Sequence, residues 1–311
     1  MTALPPFLAS TAWKDAAIGS ITGDASTRRY FRLRKEDKTA ILMDASRARE
    51  SVPPFIRINQ HLQALGFSVP AILAADEAGG FLLLEDFGDE TFARLLEKKH
   101  DAEQLFASGT DVLIALHQKP QAAPVGLRVY SPQAMRQDVE LFLDSFDVDD
   151  DGRNAFKDLW DQVLPAAHQV PSSLLLRDYH AANLMWLPDR DGVRRAGLLD
   201  FQDAYRGPVT YDLVSLLEDA RRDLPSGLKE KMIARYLAQF PGLDRKAFET
   251  SRAILAALRH ARVLAVFEKL SREGKPDYKQ LHSPRVERML RAALEHPTLA
   301  GLKRWFSTYA G

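Results

Sequence analysis

The 311-residue chain has no cysteine, which excludes disulfides, thiolate catalysis and cysteine-ligated zinc or iron–sulfur centres. It also has no net charge, because 42 basic side chains match 42 acidic ones. Such a chain carries no global field for nucleic acid or an anionic membrane, and an anionic ligand must be held by local groups. No apolar run approaches the roughly 20 residues that span a bilayer. The opening MTALPPFLASTAWKD has no basic stretch ahead of a long apolar one, so a cytoplasmic location is expected, with neither membrane nor nucleic-acid partners. Internal repeats and low-complexity tracts are absent too, which argues against a solenoid or a disordered scaffold. What is present is an ordinary globular composition, 46% hydrophobic and 27% charged, with length enough for one large domain or two lobes.

The order of patterns along the chain separates two parts. RYFRLR (29–34) and TAILM (39–43) read as a hairpin with charged residues at its turn. Pro53-Pro54 opens a helix in which Phe55, Ile58, Leu62 and Leu65 recur at helical spacing until Gly66 stops it. Two further strands flank Gly79-Gly80. Beyond Phe87 the period becomes helical: 101–117 with Leu105, Val112, Leu113 and Leu116 on one face, then 132–146, 154–169 and about 227–295. Core candidates in the last stretch are Ala253, Leu255, Leu258, Val263, Val266, Phe267 and Leu270. The expectation is α+β: a small β-rich N-terminal lobe (1–87), a connection at LLLEDFGDE, and a larger, mainly helical C-terminal lobe (88–311). A junction between lobes is where a ligand usually binds.

Two apolar runs in the helical part end in unusual polar clusters. LLLRDYHAANLM (174–185) places Asp178 two residues before His180 and five before Asn183, and LLDFQDA (198–204) ends its run at Asp200. Hard divalent cations take oxygen ligands from a carboxylate or two plus substrate phosphates, which Asn183 and Asp200 would satisfy. Phosphoryl transfer asks little more of a protein: a metal, a carboxylate near the acceptor hydroxyl, and positioning. Taken singly, D-x-H-x-x-N is also the composition of an Asx-rich turn. The ordered pair, each behind an apolar strand, favours the chemical reading.

LRDYHAANL followed by LLDFQDA resembles the catalytic and metal-binding loops of the aminoglycoside phosphotransferase branch of the protein-kinase-like superfamily, H-G-D-x-H-x-x-N followed by I-D-W/F. The resemblance implies a bilobal protein-kinase-like fold and ATP with Mg²⁺. It makes Asp178 the catalytic base and Asn183 and Asp200 the metal ligands. His180 supports the loop or is simply a packed histidine, and Asp212, in YDL after Gly207-Pro208, braces the loop from behind. ITGDASTRRYFRL (21–33) lies where the phosphate-covering loop belongs, with Gly23, Asp24 and Ser26 as contacts, although it is not a G-x-G-x-x-G loop. LLLEDFGDETF (82–92) resembles the hinge whose backbone near Glu85, Asp86 and Phe87 meets adenine.

One departure stands out. Where kinases carry a third-strand Lys this chain has Leu42 or Met43, and the helix 53–65 has no Glu. Arg28, Arg29 and Arg32 are the candidate replacements, since Arg suits bidentate phosphate contact, with solvated strand residues as the alternative. Together with RHARVLAVFEKLSREGKPDY and PRVERML, these features resemble the bacterial anomeric kinases of N-acetylmuramate and N-acetylglucosamine in cell-wall recycling, over about residues 20–305. That resemblance implies a small amino-sugar acceptor phosphorylated at C1. Glu140, in the amphipathic MRQDVELFLDSF, and Asp203 are candidate sugar contacts, or else solvated carboxylates. A kinase of another small alcohol and a nucleotide-binding pseudokinase are the alternatives. The oligomeric state is left open.

Overall fold

A computed structural model describes residues 6–21, 28–146 and 148–310. In chain order the first elements are β1 (Ala17–Ile21), β2 (Arg29–Lys35), β3 (Lys38–Asp44), α1 (Val52–Ala64), β4 (Ile72–Asp76), β5 (Phe81–Glu85) and α2 (Phe92–Glu97). Then come α3 (Ala102–His117), α4 (Pro132–Glu140), α5 (Asp150–Val163), β6 (Ser172–Leu175), β7 (Leu184–Trp186), β8 (Ala196–Leu198) and β9 (Tyr205–Pro208). The chain finishes with α6 (Thr210–Leu217), α7 (Leu228–Ala238), α8 (Arg245–Arg272), α9 (Pro276–Leu294) and α10 (Ala300–Tyr309). Internal contacts group these into two units, Met1–His100 with Ala182–Asp203, and Asp101–Ala181 with Ala204–Gly311. One is β-rich and the other mainly helical, so the class is α+β as expected.

The first unit is an antiparallel five-stranded sheet of order β1-β2-β3-β5-β4. The β2–β3 hairpin turns at Glu36, whose φ of 56° is left-handed, and Leu33, Ala40, Leu42 and Leu83 are buried in one cluster against its face. α1 buries Phe55, Ile58 and Leu62. It ends at Gly66, where φ is +88°, a C-terminal conformation that glycine adopts without a Cβ penalty. The short β7–β8 hairpin belongs to this unit because Leu198 N donates to Ser68 O (2.8 Å) and Trp186 N to Glu90 O (2.8 Å). At its centre Gly197 lies under the Phe87 ring, and a Cβ there would fall 2.9 Å from that ring.

The second unit is organised around α8. Ile254, Leu255, Leu258 and Ala261 are fully buried and pack with Phe156 and Trp160 of α5 and Trp305 and Phe306 of α10. β6 pairs antiparallel with β9. The expected helix 132–146 is α-helical only to Glu140 and continues as a 3-10 turn, Leu141–Ser145. The helical pattern from 227 to 295 is divided into three helices, with Asp244 capping α8 through Ala247 N (2.9 Å) and Gly274, at φ +87°, ending it. Ala253, Leu255, Leu258 and Phe267 are core as expected, whereas Val266 is 37% exposed. The C-terminal half of α8 is covered by α9 along one stripe, and Val266 lies off it, beside the buried Ala265 and Phe267. Among the described residues no helix is long and apolar enough to cross a membrane.

Candidate active site

In the helical unit, Asp178 follows β6 in a loop whose peptide is pinned from both sides. The carboxylate of Asp212, buried in the first turn of α6, accepts the backbone N–H of Leu176 (2.6 Å) and of Arg177 (2.9 Å). Ser215 Oγ donates to Arg177 O (3.3 Å). Arg177 itself has φ 69°, a sparsely populated conformation that persists only where its surroundings over-determine it. The bracing expected of Asp212 is thus a pair of hydrogen bonds to the two peptides just before Asp178. Burial pushes the Asp212 carboxyl up to about 7, opposed by those two N–H donors.

The neighbouring side chains fix the loop further. Tyr179 is buried and its hydroxyl donates to Gly109 O in α3 (2.7 Å). His180 is held down to about 4 by burial, with Asp219 and Asp178 pulling the other way. A neutral imidazole at physiological pH agrees with support rather than proton transfer. Arg177, only 8% exposed, donates to Asp138 of α4 and lies over the rings of Tyr130 and Tyr205, 5.1 Å from each centroid. Tyr130 donates to the same Asp138 Oδ2 (2.7 Å).

The β-rich unit holds the other motif. Asp200 follows β8 with φ 58°. Among the described residues four non-glycine residues have left-handed φ, and two of them, Arg177 and Asp200, sit at the two motifs. Asn183 and Asp200 stand at one end of the β7–β8 hairpin, joined by Leu199 N donating to Asn183 O (3.0 Å). Phe201 is buried against Phe55 of α1, with centroids 5.0 Å apart. Arg28 Nη2 lies 2.6 Å from Asp200 Oδ1, and Gln202 Nε2 donates to both Asp200 (3.2 Å) and Asp203 (3.0 Å).

The remaining candidates are dispersed. Gly23, Asp24 and Ser26 lie outside the described residues. Leu42 and Met43 are both buried, so neither position offers room for a cation. Arg29 pairs with Asp44. Arg32 is engaged by Asp86 and Asp89 and by Gly88 O. Of the three arginines, only Arg28 is brought to a candidate metal ligand among the described residues. Glu85 accepts from Arg190 (2.6 Å) and from Ala71 N (3.1 Å), Asp86 accepts from Gly88 N (2.9 Å), and Phe87 lies under the Arg190 guanidinium (4.9 Å). These contacts hold residues 85–87 in place. Glu140 is half-buried and pairs with Arg136 (3.4 Å), while Asp203 is exposed on the other unit.

Residues 18–248 match the phosphotransferase enzyme family. The chain belongs to that family. The phosphotransferase is 34% identical to the N-acetylmuramate/N-acetylglucosamine kinase of Caulobacter vibrioides, covering 97% of this chain and 94% of that relative. It is 33% identical to the kinase of the same name from Pseudomonas aeruginosa, covering 96% and 91%. Among solved structures it is similar to a choline/ethanolamine kinase family protein of Mesorhizobium loti (TM-score 0.65, 17% identity, 96% and 97% covered). It is also similar to APH(2")-IIa in its gentamicin complex (TM-score 0.62, 16% identity, 96% and 99% covered). At those identities the likeness is one of fold, the protein-kinase-like fold that the two Asp motifs imply.

The phosphotransferase also carries groups that motif reading missed. Asp138 draws no attention in sequence, since it is one charge on an amphipathic helix. Arg177 was in view as the letter before Asp178, and its signal is that an arginine replaces the glycine of the usual H-G-D. For Mg²⁺, the donor set fits: Asp200 offers a carboxylate, Asn183 an amide oxygen, and a cation, the Arg28 guanidinium, already lies against Asp200. Among the described residues no group of three His, Asp or Glu side chains forms a metal cage. A metal held here would complete its shell with phosphate oxygens and water.

Proposed function

We propose that this phosphotransferase is an ATP-dependent kinase that phosphorylates the anomeric C1 hydroxyl of N-acetylmuramate and N-acetylglucosamine, in peptidoglycan recycling. The observation that carries the reading is the pinned Asp178 loop, in a chain whose curated relatives share one amino-sugar kinase name over 81% to 94% of their length. A pseudokinase has no need of a carboxylate so held.

In this reading Asp178 accepts the proton of the attacking hydroxyl. An anomeric hydroxyl is more acidic than an ordinary alcohol, so a carboxylate suffices as base. Asp212 and Ser215 act through the peptides of Leu176 and Arg177, fixing where Asp178 points. Asn183 and Asp200 would hold Mg²⁺, which neutralises phosphate charge. Arg28 stands in for the third-strand Lys, and the backbone of Glu85 to Phe87 meets adenine. Incubation with Mg-ATP and a panel of amino sugars and amino alcohols, followed by phosphorus NMR, tests the proposal. A sugar 1-phosphate signal is expected, and turnover confined to primary alcohols would overturn it.

A further inference from the structure

Arg32 is by sequence a candidate phosphate contact, and its surroundings give it another task. Side chains alternate along β2: Phe31 and Leu33 join the apolar cluster on one face, which turns Arg32 to the other. There its guanidinium spans three acceptors of a single segment. Nη1 donates to Asp89 Oδ1 (2.8 Å), and Nη2 to Asp86 Oδ1 (3.0 Å) and to Gly88 O (2.9 Å). The side chains of Arg32 and Asp86 keep only 13% and 4% of their surface exposed. A cation faced by two carboxylates already has its counter-charge, and a phosphate would have to displace them.

Side chains rather than a strand ladder fix the segment that Arg32 grips. β5 ends at Glu85 and α2 begins at Phe92, and among the described residues the peptides of Asp86 and Phe87 make no backbone hydrogen bond. Gly88, at φ +83°, turns the chain with no side chain of its own to brace it. Arg190 pairs with Glu85 and covers the Phe87 ring, while Arg32 takes the next stretch, Asp86, Gly88 and Asp89. The result is a short run of backbone donors and acceptors held in place from its flanks. In the proposed function these are the peptides that meet adenine.

We propose that Arg32 is a positioning residue for the nucleotide base: by clamping Asp86, Gly88 and Asp89 it pre-orders the backbone that meets adenine, and it acts on affinity through the base rather than through the phosphates. The proposal rests on the kinase reading of residues 85–87. Displacement calorimetry against Mg-ADP, with adenosine and with tripolyphosphate as competitors, separates the two ends of the nucleotide in the wild type, Arg32→Ala and Arg32→Lys. Without the clamp the segment must be ordered as the base binds, so Arg32→Ala should hold adenosine about three- to fivefold more weakly and tripolyphosphate as the wild type does. Arg32→Lys should share most of the loss, because an ammonium lacks the planar fork that reaches three acceptors at once. Weakened tripolyphosphate with unchanged adenosine would make Arg32 a phosphate ligand and overturn the proposal. Unchanged affinity for both, or an equal loss of both, would overturn it too. If Arg32→Ala fails to fold, Arg32→Lys, which keeps a cation between the two aspartates, decides on the same terms. A wild type that does not bind adenosine would instead remove the adenine reading of residues 85–87, and this proposal with it.

Discussion

Arg28 Nη2 lies 2.6 Å from Asp200 Oδ1, with the arginine side chain only 11% exposed. A guanidinium held this close to a candidate metal carboxylate is poised for phosphates that arrive with the metal, in a chain whose third strand carries Leu42 and Met43 in place of a cation. We expect Arg28→Ala to lower kcat/KM for ATP about 10- to 100-fold. Calorimetric affinity for Mg-ADP should weaken alongside, and Arg28→Lys should restore part of both. The loss should exceed that of Arg29→Ala or Arg32→Ala, since those guanidiniums are engaged by Asp44 and by Asp86 with Asp89. Steady-state kinetics on the three alanine variants makes the comparison, and a fall no larger for Arg28 than for its neighbours would refute the assignment.

Asp212→Asn should uncouple loop geometry from ligand contact. Both carboxylate oxygens accept backbone N–H groups, and an amide must turn its NH₂ toward one of those donors. The cost is about 1–3 kcal/mol, a fall in Tm of several degrees for a chain of this size. Because Asp212 acts through the Leu176 and Arg177 peptides, kcat should drop while KM for both substrates changes little. Parallel thermal melts and kinetics check this. A change confined to KM would mean that Asp212 touches substrate instead.

The parts legible in sequence are those with a local physical signal. The β2–β3 hairpin was readable because two apolar runs flank the charged Lys35-Glu36-Asp37-Lys38 turn. α1 was readable from Phe55, Ile58 and Leu62 between a proline pair and Gly66. β1 was not, because four of its five residues are exposed and the fifth half-buried, which leaves no alternation to detect. The breaks after α7 and α8 carried their own signals, Pro241-Gly242 and Gly274 with Pro276, which end helices and were passed over in favour of the overall helical period. In the site, Asp178, Asn183 and Asp200 announced themselves as polar clusters closing apolar strands. The Arg177–Asp138 and Arg28–Asp200 pairs join residues 39 and 172 positions apart, and nothing in one sequence connects them.

His180 gives the fold an acid-side dependence whose sign is fixed. Its folded pKa, about 4, lies below the ordinary 6.5 because burial disfavours the imidazolium. The unfolded chain therefore binds a proton more readily over that interval. The contribution of neutral His180 to stability is fully present above pH 6.5 and is lost as pH falls through 4. Unfolding free energies from urea titrations between pH 7.5 and 4 should fall less steeply for His180→Gln than for the wild type, by on the order of 1–3 kcal/mol at the acid end. Identical slopes would show that the imidazole titrates normally in the fold.

The two motif carboxylates should fail differently when neutralised. Asp178→Asn keeps the side chain's size but cannot take a proton, so kcat should fall about 10²- to 10⁴-fold while Mg-ATP still binds. Asp200→Asn removes the carboxylate that Arg28 now contacts and that would face the metal. Its defect should include loss of tight Mg-ATP binding, with partial recovery at high Mg²⁺ or with Mn²⁺. The variant also releases Arg28 from its 2.6 Å ion pair, so nucleotide binding without metal should suffer less than binding with it. That sign is hard to obtain from misfolding, which would weaken both alike. Calorimetry of ATP with and without Mg²⁺ on both variants, beside steady-state rates, reads the pattern. Equal loss of Mg-ATP affinity in the two would show that base and metal ligand have been assigned to the wrong residues.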